Sequence, residues 1–408
     1  MSSDLPILEI PQPAVWGTDS GVALGPHDSG GPSYTQMAAG WTVGTRPPAR
    51  WMNWLQKSAG GMQRAVLGGV LADWALAVDG FPVVSVAHGI IYHPSPGDGT
   101  PGLFGVEDHR VANSDDRSVS WSGATALTGG TLDSRQNSLA IDANNILFGY
   151  GTNVYYKNSI DWSSGVSNEA TTLAGNITAV ATRYREGIAY ALAADDLADV
   201  SYRPNGVGGA TAWAASSTAP KDVGSWDGSP IEDLINITGS TWLALTEEGQ
   251  IFRSTNSGFT WALYATLPGA GASARFKSLA RCPHTGTLVV THRIVSVGAQ
   301  PPIYSDDNGL NWTAGSLEAP LAGTGAGWAN VRGVGGGAFV ALANAAADHE
   351  SIWRSVDRGR TWYPGMRQLA SVDVPVGVAC DGTRVYVLGN GGDVYYCRAL
   401  DASGLPAL

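Results

Sequence analysis

The residues of this chain best suited to chemistry are carboxylates in adjacent pairs. Glu247-Glu248, Asp195-Asp196 and Asp115-Asp116 each fall where the sequence reads as a turn. Two carboxyl groups flanking a bond are what acid–base hydrolysis of a glycoside requires. Carboxylates in turns, however, are ordinarily solvated or cap the turn backbone, and that is the expected role of these three pairs. His88 and His93 lie five apart in an apolar segment, which in a strand sends them to opposite faces and argues against a shared metal. Three cysteines, Cys282, Cys380 and Cys397, are too few and too widely spaced for a disulfide framework or a zinc knuckle. Cys380 and Cys397 fall on strands of one repeat, and buried free thiols are the expected state. No metalloprotease helix, phosphate-binding loop or nucleophile elbow occurs. The glycine clusters at 323–327 and 333–337 sit among strands, away from any strand-to-helix turn where a nucleotide would bind. No catalytic residue, cofactor or metal is expected.

The elements that would position any site are strands. Glycine is abundant at 54 of 408 residues, and charged residues make up only 14%. Gly-rich turns between many short apolar runs are the composition of an all-β protein. The formal charge of −11 comes without a basic stripe, so phosphate neutralisation has no surface to act through and nucleic acid is not an expected partner. The most apolar early stretch, 65–78, is interrupted by glycines and Asp73 and is too short to span a bilayer. The opening Met1-Ser-Ser-Asp has no basic segment leading into an apolar run, so synthesis in a cytoplasm without a secretory signal is expected.

An internal repeat organises most of the chain. Ser254-Thr-Asn256-Ser-Gly258-Phe-Thr-Trp261, Ser305-Asp-Asp307-Asn-Gly309-Leu-Asn-Trp312 and Ser355-Val-Asp357-Arg-Gly359-Arg-Thr-Trp362 share the form S-x-[DN]-x-G-x-[TN]-W, each behind an aromatic strand. Looser copies precede them. Ser114, Asp116 and Trp121 keep the pattern with Ser118 at the glycine position. Trp162 ends a shortened version, and Trp213 follows a widened Gly-rich one. The strands leading into these turns end at 114, 157, 203, 254, 305, 355 and 397, intervals of about 42–51 residues, the length of a four-stranded propeller blade. Seven blades are preferred to six. The last copy lacks its tryptophan, and Asp73-Trp74-Ala-Leu-Ala reads as the missing strand, so an early strand near Trp74 is expected to close the ring and cover an open sheet edge. The turn residues read as structural. Glycine supplies positive φ, Ser and Asp or Asn bond the turn backbone, and tryptophan packs between sheets. No bidentate glutamate follows Asp307 or Asp357, so a calcium loop is not expected.

These motifs resemble the Asp-box (BNR-type) propellers, a group that includes sialidases, sortilin-like receptors, photosystem assembly factors and xyloglucan hydrolases. The resemblance spans about 330 residues and implies the propeller fold alone. A sialidase-like site would need three arginines around a carboxylate and a Phe-Arg-Ile-Pro segment. That segment is absent, and Ala274-Arg275-Phe276 and Thr291-His292-Arg293-Ile294 do not match it.

Residues 1–72 differ in kind. An extended Gly/Pro-rich arm, 1–45, carries Trp16, Tyr34 and Trp41. A short amphipathic helix and linker are expected over 46–72, with Pro47 and Pro48 in the first turn and Trp51, Trp54 and Leu55 on one face. The stretch Gly40-Trp41-Thr-Val-Gly44-Thr-Arg46-Pro47-Pro48-Ala-Arg-Trp51-Met-Asn53-Trp54-Leu55 resembles the N-terminal segment of phage and prophage tail-fibre and tail proteins. That resemblance implies virion docking through Trp16, Trp41, Arg46, Pro47, Pro48, Trp51, Trp54 and Leu55. It further implies other tail proteins as partners, a homo-oligomer in the virion tail, and a C-terminal domain that acts outward on a host-surface glycan or protein or builds the tail. The propeller is expected over 73–400 and a tail over 401–408. Trp213, Trp226 and Trp328 are the candidate surface contacts, each with the alternative of being a buried blade tryptophan. The alternative function is a glycan-processing enzyme.

Overall fold

The computed structural model describes strands and most turns between residues 75 and 398. Residues 1–74, 399–408 and parts of the connecting loops (among them 77–81, 94–101, 115–119, 127–135, 159–164, 205–210, 319–326, 345–349 and 368–373) lie outside what it describes. The chain divides into two units after Gly69. The expected arm, helix and docking residues therefore fall outside the described residues, as do Asp116 and Trp162.

The second unit is an all-β seven-bladed propeller: the described strands form seven separate, mainly antiparallel sheets, and all but the last are supplied by consecutive segments of chain. The fourth blade shows the pattern, with strands Ile231–Thr238, Thr241–Thr246, Gln250–Ser254 and Ala262–Thr266 running from the axis outward. First strands of neighbouring blades pack against one another all the way round, so they line the axis. Second strands such as Thr241–Thr246 and Leu288–Ile294 have successive buried residues, apolar over 242–245 and 288–290, because both of their faces are covered by adjacent blades. The buried side chains fall into clusters at the seams between blades. Leu192 and Val200 meet Trp242 and Phe252 at the third seam, and Val289 meets Phe339, Trp353 and Trp362 at the fifth.

The ring is closed as the sequence predicts. Ala75–Leu76 is the outer strand of the last blade and pairs antiparallel with Val394–Arg398, Ala75 opposite Tyr396 and Leu76 opposite Tyr395. Chain from the start of the ring thus completes a sheet begun at its end. The tryptophan expected to lead this strand, Trp74, lies outside the described residues.

The three regular turns fold by local hydrogen bonding. In the second of them, Ser305 Oγ donates to Asp307 Oδ1 at 2.8 Å and accepts from the Gly309 N–H at 2.9 Å. Asp307 Oδ1 also accepts from Asn311 N, and the Trp312 indole donates to the Gly309 carbonyl, both at 2.9 Å. The same bonds recur from Ser254 to Trp261 and from Ser355 to Trp362. These N–H donors hold the Asp307 carboxyl below the usual range although desolvation pushes the other way. The first and third of these turns also reach sideways. Ser217 N bonds the carbonyl of Phe259, and Ser316 N that of Arg360, so the link leaving one blade runs along the turn of the next.

Six of the seven inner strands carry a register shift at one equivalent place: Ala87/Gly89, Ile177/Ala179, Ile231/Asp233, Phe276/Ser278, Trp328/Asn330 and Pro375/Gly377. A bulge leaves its extra residue outside the ladder and re-aims the side chains around it. The second blade has no such shift. Immediately ahead of its inner strand Leu139–Asp142 stands a single 3-10 turn, Gln136–Ser138.

Candidate functional site

The polar residues brought together by this arrangement lie on the axis. Asn137, in the turn before the second blade, has its side chain bonded to the fourth, fifth and sixth blades. Its amide donates to the carbonyls of Glu232 at 3.0 Å and Lys277 at 2.6 Å. Its oxygen accepts from Asn330 Nδ2 at 2.8 Å and from Ser278 Oγ at 3.3 Å. Glu232 and Lys277 are the bulged residues of their strands. Asn137 therefore caps carbonyls at the two places where the bulges interrupt the ladders, and uses both N–H donors of its amide to do so.

Beside it, Asp233 is buried. Its Oδ1 accepts from Leu234 N at 2.8 Å, and its Oδ2 accepts from Leu279 N at 2.7 Å and Ser278 Oγ at 3.2 Å. Burial pushes this carboxyl up to about 7, against the pull of Arg332 and of these donors. Further out, Lys277 Nζ stands 3.2 Å from Glu232 and 3.4 Å from Glu247, which in turn is 3.2 Å from Arg275. Charge thus alternates along a path across the fourth and fifth blades. Of the acidic pairs singled out in the sequence, Glu247-Glu248 contributes one member to this path. Asp195 is buried and organises its own loop by accepting from the N–H groups of Gly175, Leu197 and Asp199. Asp115-Asp116 lies outside the described residues.

The structure corrects the surface-contact expectation for two tryptophans. Trp213 is 5% exposed and Trp328 is 3% exposed. The indole of Trp213 donates to Glu169, which also pairs with Arg203 at 2.6 Å. That of Trp328 donates to the Gln300 carbonyl, and its ring meets Trp353 edge-on. Both fill blade seams, where a large apolar ring with one satisfied N–H is most stable. Trp226 is half-buried, its indole bonded to the carbonyl of Ser229. The large apolar side chains that do reach the surface include Phe259 and Leu310, which occupy the same position in successive turns. Residue type gives no warning of this, because the position after the turn glycine is Phe, Leu and Arg in the three copies.

Cys380 and Cys397 both stand opposite Val385, one from each side, so a strand separates them and neither is in a disulfide. Among the described residues no group of three His, Cys, Asp or Glu side chains converges as a metal site.

One ionisable group marks a seam rather than the axis. His292 stacks on Phe276 with ring centroids 4.9 Å apart, and its Nδ1 has no hydrogen-bond partner. Burial draws its pKa down to about 4. A histidine unfolded at its ordinary value near 6.5 takes up a proton that the folded ring refuses until about pH 4. The associated stability is therefore present above 6.5 and is lost as pH falls between those values, to a limit of about 3 kcal/mol. His292→Phe keeps the stacked ring and removes the proton. Urea titrations at pH 7.5 and pH 5 are expected to show a smaller loss on acidification for the variant than for the parent. An equal loss in both proteins would put the acid sensitivity elsewhere.

No family model matches the chain, and no curated protein matches it. Solved structures do. A YCF48 bound to D1 peptide is 14% identical with a TM-score of 0.54, covering 80% of this chain and 95% of its own. YCF48 from Cyanidioschyzon merolae is 13% identical at 0.54, covering 80% and 98%. A catalytically inactive virginiamycin B lyase from Staphylococcus aureus, solved with quinupristin, is 10% identical at 0.58, covering 80% and 99%. At these identities the likeness is one of fold, shared by proteins of unrelated activity.

Proposed function

We propose that the chain is a non-enzymatic tail protein of a bacteriophage or phage-derived particle. In this reading the propeller is of the Asp-box type and serves as a rigid module that binds the host surface or builds the tail. The segment before it docks on other tail subunits and brings copies together in the virion, after synthesis in the host cytoplasm. The docking role rests on the resemblance of Gly40 to Leu55 to tail-protein N-termini.

The observation that carries the non-enzymatic part is the state of the axial polar groups. The Asn137 side chain is held by contacts from three blades. A glycoside hydrolase needs a carboxylic acid with a raised pKa where substrate reaches it. Asp233 has the raised pKa but is buried beneath backbone donors. Glu247 is more open, yet it and Glu232 are both occupied by the same Lys277 ammonium, at 3.4 and 3.2 Å. This division of properties supports a scaffold over a catalyst.

The test is the mass and imaged shape of the full-length protein beside a version lacking residues 1–69, a cut that leaves Ala75–Leu76 in place. A defined oligomer for the full chain and a soluble monomer for the shortened one are expected. Monomers in both cases would remove the docking role. Hydrolysis of a glycan panel by either protein would replace the scaffold reading with the enzymatic one.

A further inference from the structure

We propose that the axial turn Gln136–Ser138 is a pH-sensitive latch, worked by the single hydroxyl proton of Ser278. Ser278 Oγ lies 3.2 Å from Asp233 Oδ2 and 3.3 Å from Asn137 Oδ1, and both oxygens are acceptors when Asp233 is ionised. One hydroxyl proton cannot serve both. With Asp233 ionised, the stronger, charge-assisted bond takes the proton, and Asn137 keeps only Asn330 Nδ2 on its oxygen. With Asp233 protonated, its own O–H donates to Ser278 Oγ and the Ser278 proton turns to Asn137. The grip on the turn is then one hydrogen bond stronger. All of these groups are buried, so water does not stand in for the missing donor.

The charged groups around Asp233 fit this exchange. Arg332, on the sixth inner strand, is the charge that favours its ionised form, opposing burial. Glu232 on its own strand and Lys277 on the next are engaged with each other at 3.2 Å, and Lys277 is held further by Glu247. The titration therefore falls in a range that a protein meets in ordinary surroundings. The folded carboxyl holds its proton to higher pH than an unfolded aspartate, so the latch is closed on the acid side and loosens as pH rises through neutrality.

Backbone amide exchange of the full-length protein, followed by mass spectrometry and corrected for the chemical exchange rate at each pH, tests this. Protection of a peptide covering 136–142 is compared with that of the buried strand Leu288–Ile294. The ratio is expected to fall about five- to tenfold between pH 6 and pH 8.5, the effect of one hydrogen bond. In Ser278→Ala, which removes only the hydroxyl, the ratio is expected to be low and independent of pH. In Asp233→Asn, which cannot ionise, it is expected to be independent of pH as well. A flat ratio in the parent protein, or a pH-dependent one in Ser278→Ala, would overturn the latch. Should Asp233→Asn fail to fold, the alanine variant carries the test alone.

Discussion

Gly359→Ala is expected to destabilise the ring by about 2–5 kcal/mol, the combined cost of a left-handed backbone on a residue with a Cβ and of overpacking a filled seam. Gly359 has φ of 81°, and a Cβ built there would stand 2.6 Å from Val289 Cγ2 and 3.3 Å from Tyr304 Cβ. Val289 is buried in the second strand of the preceding blade, with Phe339 and Trp362 around it. The methyl has nowhere to go without moving the seam. The neighbouring Arg358 separates the two causes. It has φ of 65° and is exposed, so Arg358→Gly relieves backbone strain without touching the seam. That variant is expected to lie within about 1 kcal/mol of the parent. Denaturant midpoints of the two variants decide the matter. A Gly359→Ala protein as stable as the parent would mean that the turn does not press on the neighbouring blade. The same clash, 2.5 Å to Leu192 and 2.9 Å to Leu243, awaits a Cβ at Gly258 and Gly309.

Removing residues 1–80 is expected to destabilise the ring and expose it to aggregation, where removing 1–69 has little effect on the stability of the ring. The longer cut takes away Ala75–Leu76 and leaves Val394–Arg398 as an open edge carrying Tyr395 and Tyr396. Two lost ladder residues cost about 1–3 kcal/mol by themselves. The exposed edge then offers a row of unpaired backbone groups to other chains. The 1–80 deletion should melt at lower temperature than the 1–69 deletion and elute as aggregate at concentrations where the latter is monodisperse. Equal melting of the two would mean that the ring does not need its closing strand. Because the two deletions differ by only eleven residues, the comparison isolates the closure from any role of the preceding segment.

The repeat and its closure were legible in the sequence because both depend on local chemistry. A turn that requires positive φ selects glycine, as at Gly258, Gly309 and Gly359, and a serine two residues before an Asp or Asn can bond that turn whatever surrounds it. These signals recur with each blade, so their spacing counts the blades, and the one copy without its tryptophan points to a strand from the other end of the chain. The burial of Trp213 and Trp328 was not legible. An indole N–H needs one partner, and whether that partner is Glu169 and Gln300 inside a seam or a ligand outside depends on residues distant in sequence.

The axis was hidden more completely. Asn137 belongs to no motif, and the carbonyls it caps lie 95 and 140 positions further along the chain. Nothing in the residue types of Glu232, Asp233, Lys277, Ser278 or Asn330 distinguishes them from solvated strand-end residues. Sequence alone determined a ring of seven blades, how its turns are built and where it closes, since each of these follows from hydrogen bonds within a few residues or from a pattern repeated along the chain. Tertiary structure alone decided which polar groups meet on the axis. Three bulges and one 3-10 turn, none with a residue signature, bring them together, and burial rather than composition sets the pKa of the carboxyl at their centre.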